Sequence, residues 1–313
     1  MSYNFLRSLL LLPLMALALH TGVIEAKVLL ITHSYNRPDF IELQAKTFQK
    51  FLQDDYEFVV FNDAPTQKLA EQVEAACAKL GISCFRVPQS IHQQPYLPRE
   101  ADDDWNSPSI RTANAVQYSF DTLAFQHDGM VAIIDSDMFL IRNFSIVEYA
   151  SGYDLAAVAQ WRGSDGVVKY LWNGIMFFNM QTLPNKRSLN FNCGRIMGNC
   201  TDTGGFTHYY LKQNPEAKVR FMREQLDVTD GDYIVNSYEP EGRDYMTQEE
   251  VLAAIQSYEH LPWLLEQKPD DIQFFLHCTI LHYRRAGNYH HKPNVYHQKK
   301  TKILHEFIER ILQ

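Results

Sequence analysis

The chain has 313 residues, 46% of them hydrophobic and 21% charged, and a formal net charge of −8. That length suits one large or two small domains with a sizeable core, and the composition is globular rather than disordered. The acidic balance, without a long basic run, argues against a general nucleic-acid binder; an anionic ligand would need a metal ion or a few placed Arg and Lys residues.

The first 26 residues read as a separate piece. One positive charge precedes a nearly unbroken apolar run over 8–19, and a more polar stretch leads to Ala26 as a cleavage point. This is the layout of a secretory signal peptide, and the run is short of the roughly 20 residues a membrane span needs. The expected location is therefore extracytoplasmic, with membrane attachment only if the segment is retained as an anchor. Cys193 and Cys200 flank a short loop and are read either as a disulfide or as free thiols. No pair has the spacing of a zinc site. Asn143-Phe144-Ser145 and Asn199-Cys200-Thr201 are glycosylation sequons.

From residue 28 the chain alternates. A strand over 28–31 runs into a loop, Thr32 to Pro38, and a helix follows over 40–52. A second strand over 56–61 stops at Asn62-Asp63-Ala64-Pro65. A helix over 67–80, closed by Gly81, leads to a third strand over 83–87. This order predicts an α/β fold with a mostly parallel sheet, whose ligands sit outside the carboxyl ends of the strands. The loop after Ile31 and Asp63 both fall at that end. A polar loop over 89–108 precedes a helix over 109–125. Arg111 lies in the first turn of that helix, where the helix dipole disfavours a cation unless an anion is near.

Residues 130–134 are a short apolar run that reads as a strand buried on both faces, and Asp135-Ser136-Asp137 follows at once. If the backbone stays extended, the two carboxylates share a face about 7 Å apart. They then call for a hard divalent cation that also holds phosphate oxygens; the plain alternative is a solvated acidic turn. A strand over 154–160 is followed by a Trp172-Asn173-Gly174 turn joined to a strand. Gly174 allows close backbone approach to a ligand, and Trp172 either stacks on a sugar or base or packs into the core. Asp202-Thr203-Gly204-Gly205 precedes a helix over 208–213, as a cap or as a carboxylate offered to an acceptor. Residues 227–231 are turn-like, and 247–259 is an amphipathic helix. A strand over 274–283 carries His277 and His282 on opposite sides, His290 and His291 follow, and a helix over 296–312 closes the chain. Residues 27–313 read as a single domain, without repeats or a linker.

Four segments in this order carry a resemblance: Val28-Leu29-Leu30-Ile31-Thr32-His33-Ser34-Tyr35-Asn36-Arg37-Pro38, Phe58-Val59-Val60-Phe61-Asn62-Asp63-Ala64, Ile133-Ile134-Asp135-Ser136-Asp137, and the His-rich end. Together they resemble the nucleotide-sugar-dependent glycosyltransferases of the GT-A (Rossmann-like) fold with an Asp-x-Asp motif. The resemblance implies metal-dependent transfer of a sugar from a nucleotide-diphosphate sugar, a UDP-sugar being favoured, to a glycan, protein or lipid acceptor. It implies that Thr32, Ser34, Tyr35 and Asp63 hold the nucleoside and that Arg111 faces the donor. Trp172, Asn173 and Gly174 would line the sugar pocket. Asp137 would ligate Mn²⁺ or Mg²⁺, with Asp135 on the metal or the ribose and His282 as a third ligand, in competition with His290 and His291. Asp202 is the candidate catalytic base, with Asp227 and Asp230 as rivals. Two other readings stand beside it. One is a secreted glycan-binding or inactive protein of this fold. The other is a metal-dependent phosphohydrolase of the haloacid dehalogenase type, disfavoured by Phe139 and by the strands that precede the motif.

Overall fold

The apolar runs at the start of the chain become neighbouring parallel strands. In the computed structural model, which describes residues 27–93, 107–163, 166–222, 224–229, 232–235, 248–286 and 294–313, β1 (Val28–Ser34) lies parallel to β2 (Tyr56–Asn62), with α1 (Pro38–Phe51) between them in sequence. Helix α2 (Gln67–Leu80) starts where the Thr66 hydroxyl accepts from the Leu69 amide. It ends at Gly81, whose φ of 68° suits a residue without a Cβ. Strand β3 (Ser83–Arg86) then joins the edge of β2. After the short α3 (Ser90–Gln93) and α4 (Pro108–Thr122), β4 (Met130–Ile134) enters beside β1, again in parallel.

The acidic motif is where the chain changes sheets. Strand β5 (Met138–Leu140) begins directly after Asp137 and belongs to a second layer. Helix α5 (Ile146–Tyr149) leads to β6 (Leu155–Arg162) and β7 (Val168–Asn179), which return to the first sheet, β7 running antiparallel to both β4 and β6. The hairpin β8 (Arg195–Ile196) and β9 (Asn199–Cys200) and helix α6 (Thr207–Gln213) precede β10 (Val219–Met222), parallel to β6. The second layer is completed by β11 (Glu224–Thr229), β12 (Asp232–Val235), β13 (Ile272–Phe275) and β14 (Ile280–Tyr283). Helices α7 (Gln248–Gln256) and α8 (Leu261–Glu266) lie between β12 and β13 in sequence, and α9 (Asn294–Leu312) is the last. The strand orders are β10-β6-β7-β4-β1-β2-β3 and β12-β11-β13-β14-β5. The α/β expectation of a mostly parallel sheet flanked by helices holds, with β7 as the antiparallel member.

Alternation explains why these strands read as unbroken apolar runs. Leu30, Val60, Ala132, Ile134 and Phe177 enter one core cluster, while Leu29, Ile31, Val59, Ile133 and Phe178 enter the other. The first cluster joins the sheet to α1, the second layer and α9. Phe40 meets Phe139 and Tyr283 edge-on, each with ring centroids 5.4 Å apart. Each such fully buried ring contributes roughly 2–3 kcal/mol. The second cluster packs Val116 and Phe120 of α4 on the opposite face. One continuous core therefore unites both sheets.

The segment read as one strand over 274–283 is a hairpin. Leu276, His277 and Cys278 all take left-handed φ values, 51°, 57° and 57°, and turn the chain back on itself. None of the three is Gly or Asn, so nothing in the local composition announces this turn. His277 lies exposed in the turn and His282 is buried in β14, so their parity along a strand has no meaning. Asp227 is likewise in a strand, not a turn. No disulfide joins any of the five cysteines, Cys193 and Cys200 included. The signal-peptide reading of residues 1–26, and Asp230, His290 and His291, lie outside the described residues. Among the described residues no helix is long and apolar enough to cross a membrane.

Candidate active site at the carboxyl edge of the parallel strands

Because β4, β1 and β2 are parallel neighbours, Asp135, Tyr35 and Asp63 emerge along one edge, in that order. Two strand spacings separate the ends of this row, about 10 Å.

Asp135-Ser136-Asp137 does not continue the strand. The Asp135 amide donates to the Gly174 carbonyl at 2.8 Å, and the Met138 amide donates back to the Asp135 carbonyl at 3.0 Å, which closes a turn. The expected side-by-side placement on an extended strand is thus replaced by a turn that leaves one sheet and enters the other. Gln44, on the inner face of α1 and fully buried, holds it. Its amide Nε2 donates to the Asp135 carbonyl at 2.8 Å and to the Met138 carbonyl at 3.0 Å. We expect Gln44→Leu to lower stability by roughly 2–3 kcal/mol, since two buried acceptors lose a donor. An unchanged denaturation midpoint would show that the turn needs no such support.

Burial first, and then the Asp137 carboxylate beside it, pushes the Asp135 carboxyl up to about 7. Asp202 acts in the same direction and His282 opposes it, so these four groups share one electrostatic neighbourhood. Asp137 Oδ1 is buried and makes no hydrogen bond, while His282 Nε2 lies 3.3 Å from it. His282 reaches this point because β14 pairs with β5, placing it opposite Met138. Its Nδ1 lies 2.9 Å from Gln273 Oε1 on β13. Among the described residues no three His, Cys, Asp or Glu side chains are already gathered as a metal set. The pair Asp137 and His282 nonetheless fits a hard divalent ion. Adjacent ligands of an octahedral ion stand about 3 Å apart, and an orphaned buried carboxylate oxygen beside a second carboxylate needs positive charge.

Trp172, Asn173 and Gly174 are not a turn. They lie within β7, where its register against β6 slips and the strand bulges. The half-buried Trp172 ring stacks near Phe275, 5.8 Å between centroids, and lies 5.5 Å from the His282 ring. It also folds over Gly174, where a Cβ would fall 2.2 Å from the indole. The close approach that Gly174 permits is thus that of Trp172. Asn173 is buried. The loop carrying Asp202 lies flat on β7, since a Cβ on Gly204 would meet the Leu171 carbonyl at 2.1 Å. The Asp202 carboxylate accepts from the Thr203 amide at 2.8 Å. Asp227 sits two strands from His282 on the same face of the second sheet, and Arg284 pairs with it at 3.3 Å.

At the other end of the edge, Asp63 is almost fully enclosed. Arg111 reaches its Oδ2 with Nε at 2.8 Å, and its NH2 donates to Oδ1 at 2.9 Å, to the Asp63 carbonyl at 2.7 Å and to Gln89 Oε1 at 2.7 Å. His92 Nε2 at 2.8 Å and Gln89 Nε2 at 3.3 Å complete the carboxylate's partners. Asp63 is therefore the anion that Arg111 at the start of α4 answers to, and its oxygens are filled before any base or ribose arrives. The Arg111 guanidinium also lies over the exposed Tyr35 ring, 5.0 Å from its centroid. Thr32 and Ser34 depart from expectation. β1 runs three residues further than its apolar composition suggests, and both hydroxyls are buried without a hydrogen-bond partner. Sequence reasoning missed Gln44, Gln273, Gln89 and His92; the one available signal was a glutamine set inside an apolar strand at Gln273.

No family model matches the chain, and no curated protein matches it. Solved structures similar to it include core-mannan synthase A from Aspergillus fumigatus in an Mn/GDP form, with 9% identity over 72% of this chain and 79% of that one, at a TM-score of 0.41. A mannosyltransferase from Pyrobaculum calidifontis in complex with GDP-Man and Mn²⁺ gives 10% identity over 89% and 70%, at 0.39. Glucosyl-3-phosphoglycerate synthase from Mycobacterium tuberculosis gives 14% over 62% and 68%, at 0.35. At such identities none of them assigns a residue or an activity to this chain.

Proposed function

We propose that the protein is a metal-dependent glycosyltransferase of the GT-A type that uses a nucleotide-diphosphate sugar. The observation that carries this reading is the Asp137–His282 pair, two ligand-type groups 3.3 Å apart at the carboxyl edge of a parallel sheet, with Asp135 and Asp202 close by. The row from Asp63 to Asp135 has the length of a nucleoside diphosphate, about 10 Å. Tyr35, exposed beneath the Arg111 guanidinium, offers a stacking face for the nucleoside. Arg111 and Asp63 fix that end of the edge by binding one another.

Asp137 and His282 would hold Mn²⁺ or Mg²⁺, with Asp135 beside them. The ion supplies charge neutralisation for the diphosphate leaving group. Asp202, on a loop seated against β7, would accept a proton from an acceptor hydroxyl; Asp227, tied to Arg284, is the weaker candidate for that task. The half-buried Trp172 flanks His282 and would wall the sugar side of the site. The acceptor class is a glycan, protein or lipid, and residues 1–26 support an extracytoplasmic location.

Calorimetric titration of UDP, GDP and their common sugar conjugates, with and without Mn²⁺, tests this reading. We expect a nucleoside diphosphate to bind only with the metal, and its sugar conjugate to be turned over. Absence of both binding and turnover across these donors would leave a protein that keeps the fold without the activity.

A further inference from the structure

We propose that Gln273 is a positioning residue that fixes the tautomer of His282, keeping Nε2 bare and aimed at Asp137. Strand pairing sets up the arrangement. Asp227, Gln273, His282 and Met138 lie opposite one another in register across β11, β13, β14 and β5. Residues directly opposite in antiparallel strands share a face, with Cβ atoms about 5 Å apart. Gln273 therefore stands between a carboxylate and an imidazole. An amide in that place turns its NH₂ group toward the carboxylate and its oxygen toward the ring.

The contact agrees with this orientation, because it is Oε1 of Gln273 that lies 2.9 Å from His282 Nδ1. An amide oxygen only accepts, so Nδ1 carries the hydrogen, and a neutral imidazole then has its lone pair on Nε2. Gln273 and His282 are 8% and 6% exposed, which leaves little room for water to substitute for the amide. The ring is also flanked by Trp172 at 5.5 Å and Phe275 at 6.2 Å, so it has few other orientations. In the neutral ring Nε2 and Asp137 Oδ1 then lie 3.3 Å apart as two acceptors. A metal cation between them makes that juxtaposition favourable while the ring stays neutral. This inference rests on the proposed metal site, and it assigns to Gln273 a role that no ligand motif marks.

The tautomer can be read without metal or activity. In the ¹⁵N-labelled full chain with neutral imidazoles, two-bond ¹⁵N–¹H spectra should show His282, assigned by difference from His282→Gln, with a protonated Nδ1 and a bare Nε2. Gln273→Leu should convert this pattern to a mixture and weaken Mn²⁺ binding, measured by calorimetry, by about 10–100-fold. Gln273→Glu, which also accepts from Nδ1, should restore both, and thermal midpoints of the two variants check that each folds. A protonated Nε2 in the unmodified chain overturns the proposal whatever the metal does, because the amide would then be turned the other way. Unchanged Mn²⁺ affinity in Gln273→Leu overturns it as well. A bare Nε2 in a chain that binds no Mn²⁺ supports the tautomer assignment and removes the metal reading, so the two failures are distinct.

Discussion

Replacing Asp137 by alanine is expected to lower turnover by at least about 10³-fold, roughly 4 kcal/mol of transition-state stabilisation, while leaving the thermal midpoint unchanged or raised. The two halves of this result have separate causes. Turnover falls because the buried Oδ1 that faces His282 is gone. Stability holds because Asp137 is itself a burden in the cation-free protein. Its charge adds to the burial that pushes up the Asp135 carboxyl, Oδ1 has no hydrogen bond to lose, and Oδ2 accepts only a long one, from the Ala286 amide at 3.5 Å. Initial rates with a turned-over sugar nucleotide, beside a melting curve, decide the matter. Full activity in Asp137→Ala would remove this turn from the mechanism. Lost activity with a collapsed melting curve would instead show the residue to be architectural.

Arg111→Met is expected to be among the most destabilising single changes near the edge, by about 3 kcal/mol in denaturant unfolding. It would strand the Asp63 carboxylate, only 6% exposed, with His92 and Gln89 as its remaining partners. The conservative volume of methionine separates the loss of charge from the loss of packing. Adding Asp63→Asn to Arg111→Met should recover a substantial part of the stability, because the uncompensated charge is then absent. If Arg111→Met melts like the unmodified chain, the pair is screened by solvent and does not fix this end of the site.

Much of the scaffold was legible because burial on both faces writes itself into sequence. The runs at 28–31, 56–61 and 130–134 contain little but apolar residues, and the bounds of α2 follow from Thr66 and Gly81 at its ends. Legibility failed where the deciding partner is distant in the chain. β1 runs on through Thr32 and Ser34 because β2 continues beside it, pairing with them at Val60 and Asn62. The turn at 276–278 bends through three left-handed residues without glycine. The filled coordination of Asp63 depends on Gln89, His92 and Arg111, brought in by α3, α4 and the segments before them. The same holds at the acidic motif. Its spacing announced a cation site, but the turn geometry depends on Gln44 in α1, and the tie to His282 depends on β5 pairing with β14.

The passage of the chain from β4 to β5 has one more consequence. Asp135 is anchored to the first sheet through Gly174, while Asp137 is anchored to the second, its carbonyl accepting from the Tyr283 amide at 2.8 Å. Three residues thus form a seam between two layers that each have their own hydrogen-bond ladder. Any sliding of one layer over the other would be felt first as a change in the gap between Asp135 and Asp137, which makes that gap a gauge of interlayer alignment. An ion held by Asp135 as well as by Asp137 and His282 would rivet the layers together, and the shape of the site and the cohesion of the molecule would be set by the same bonds.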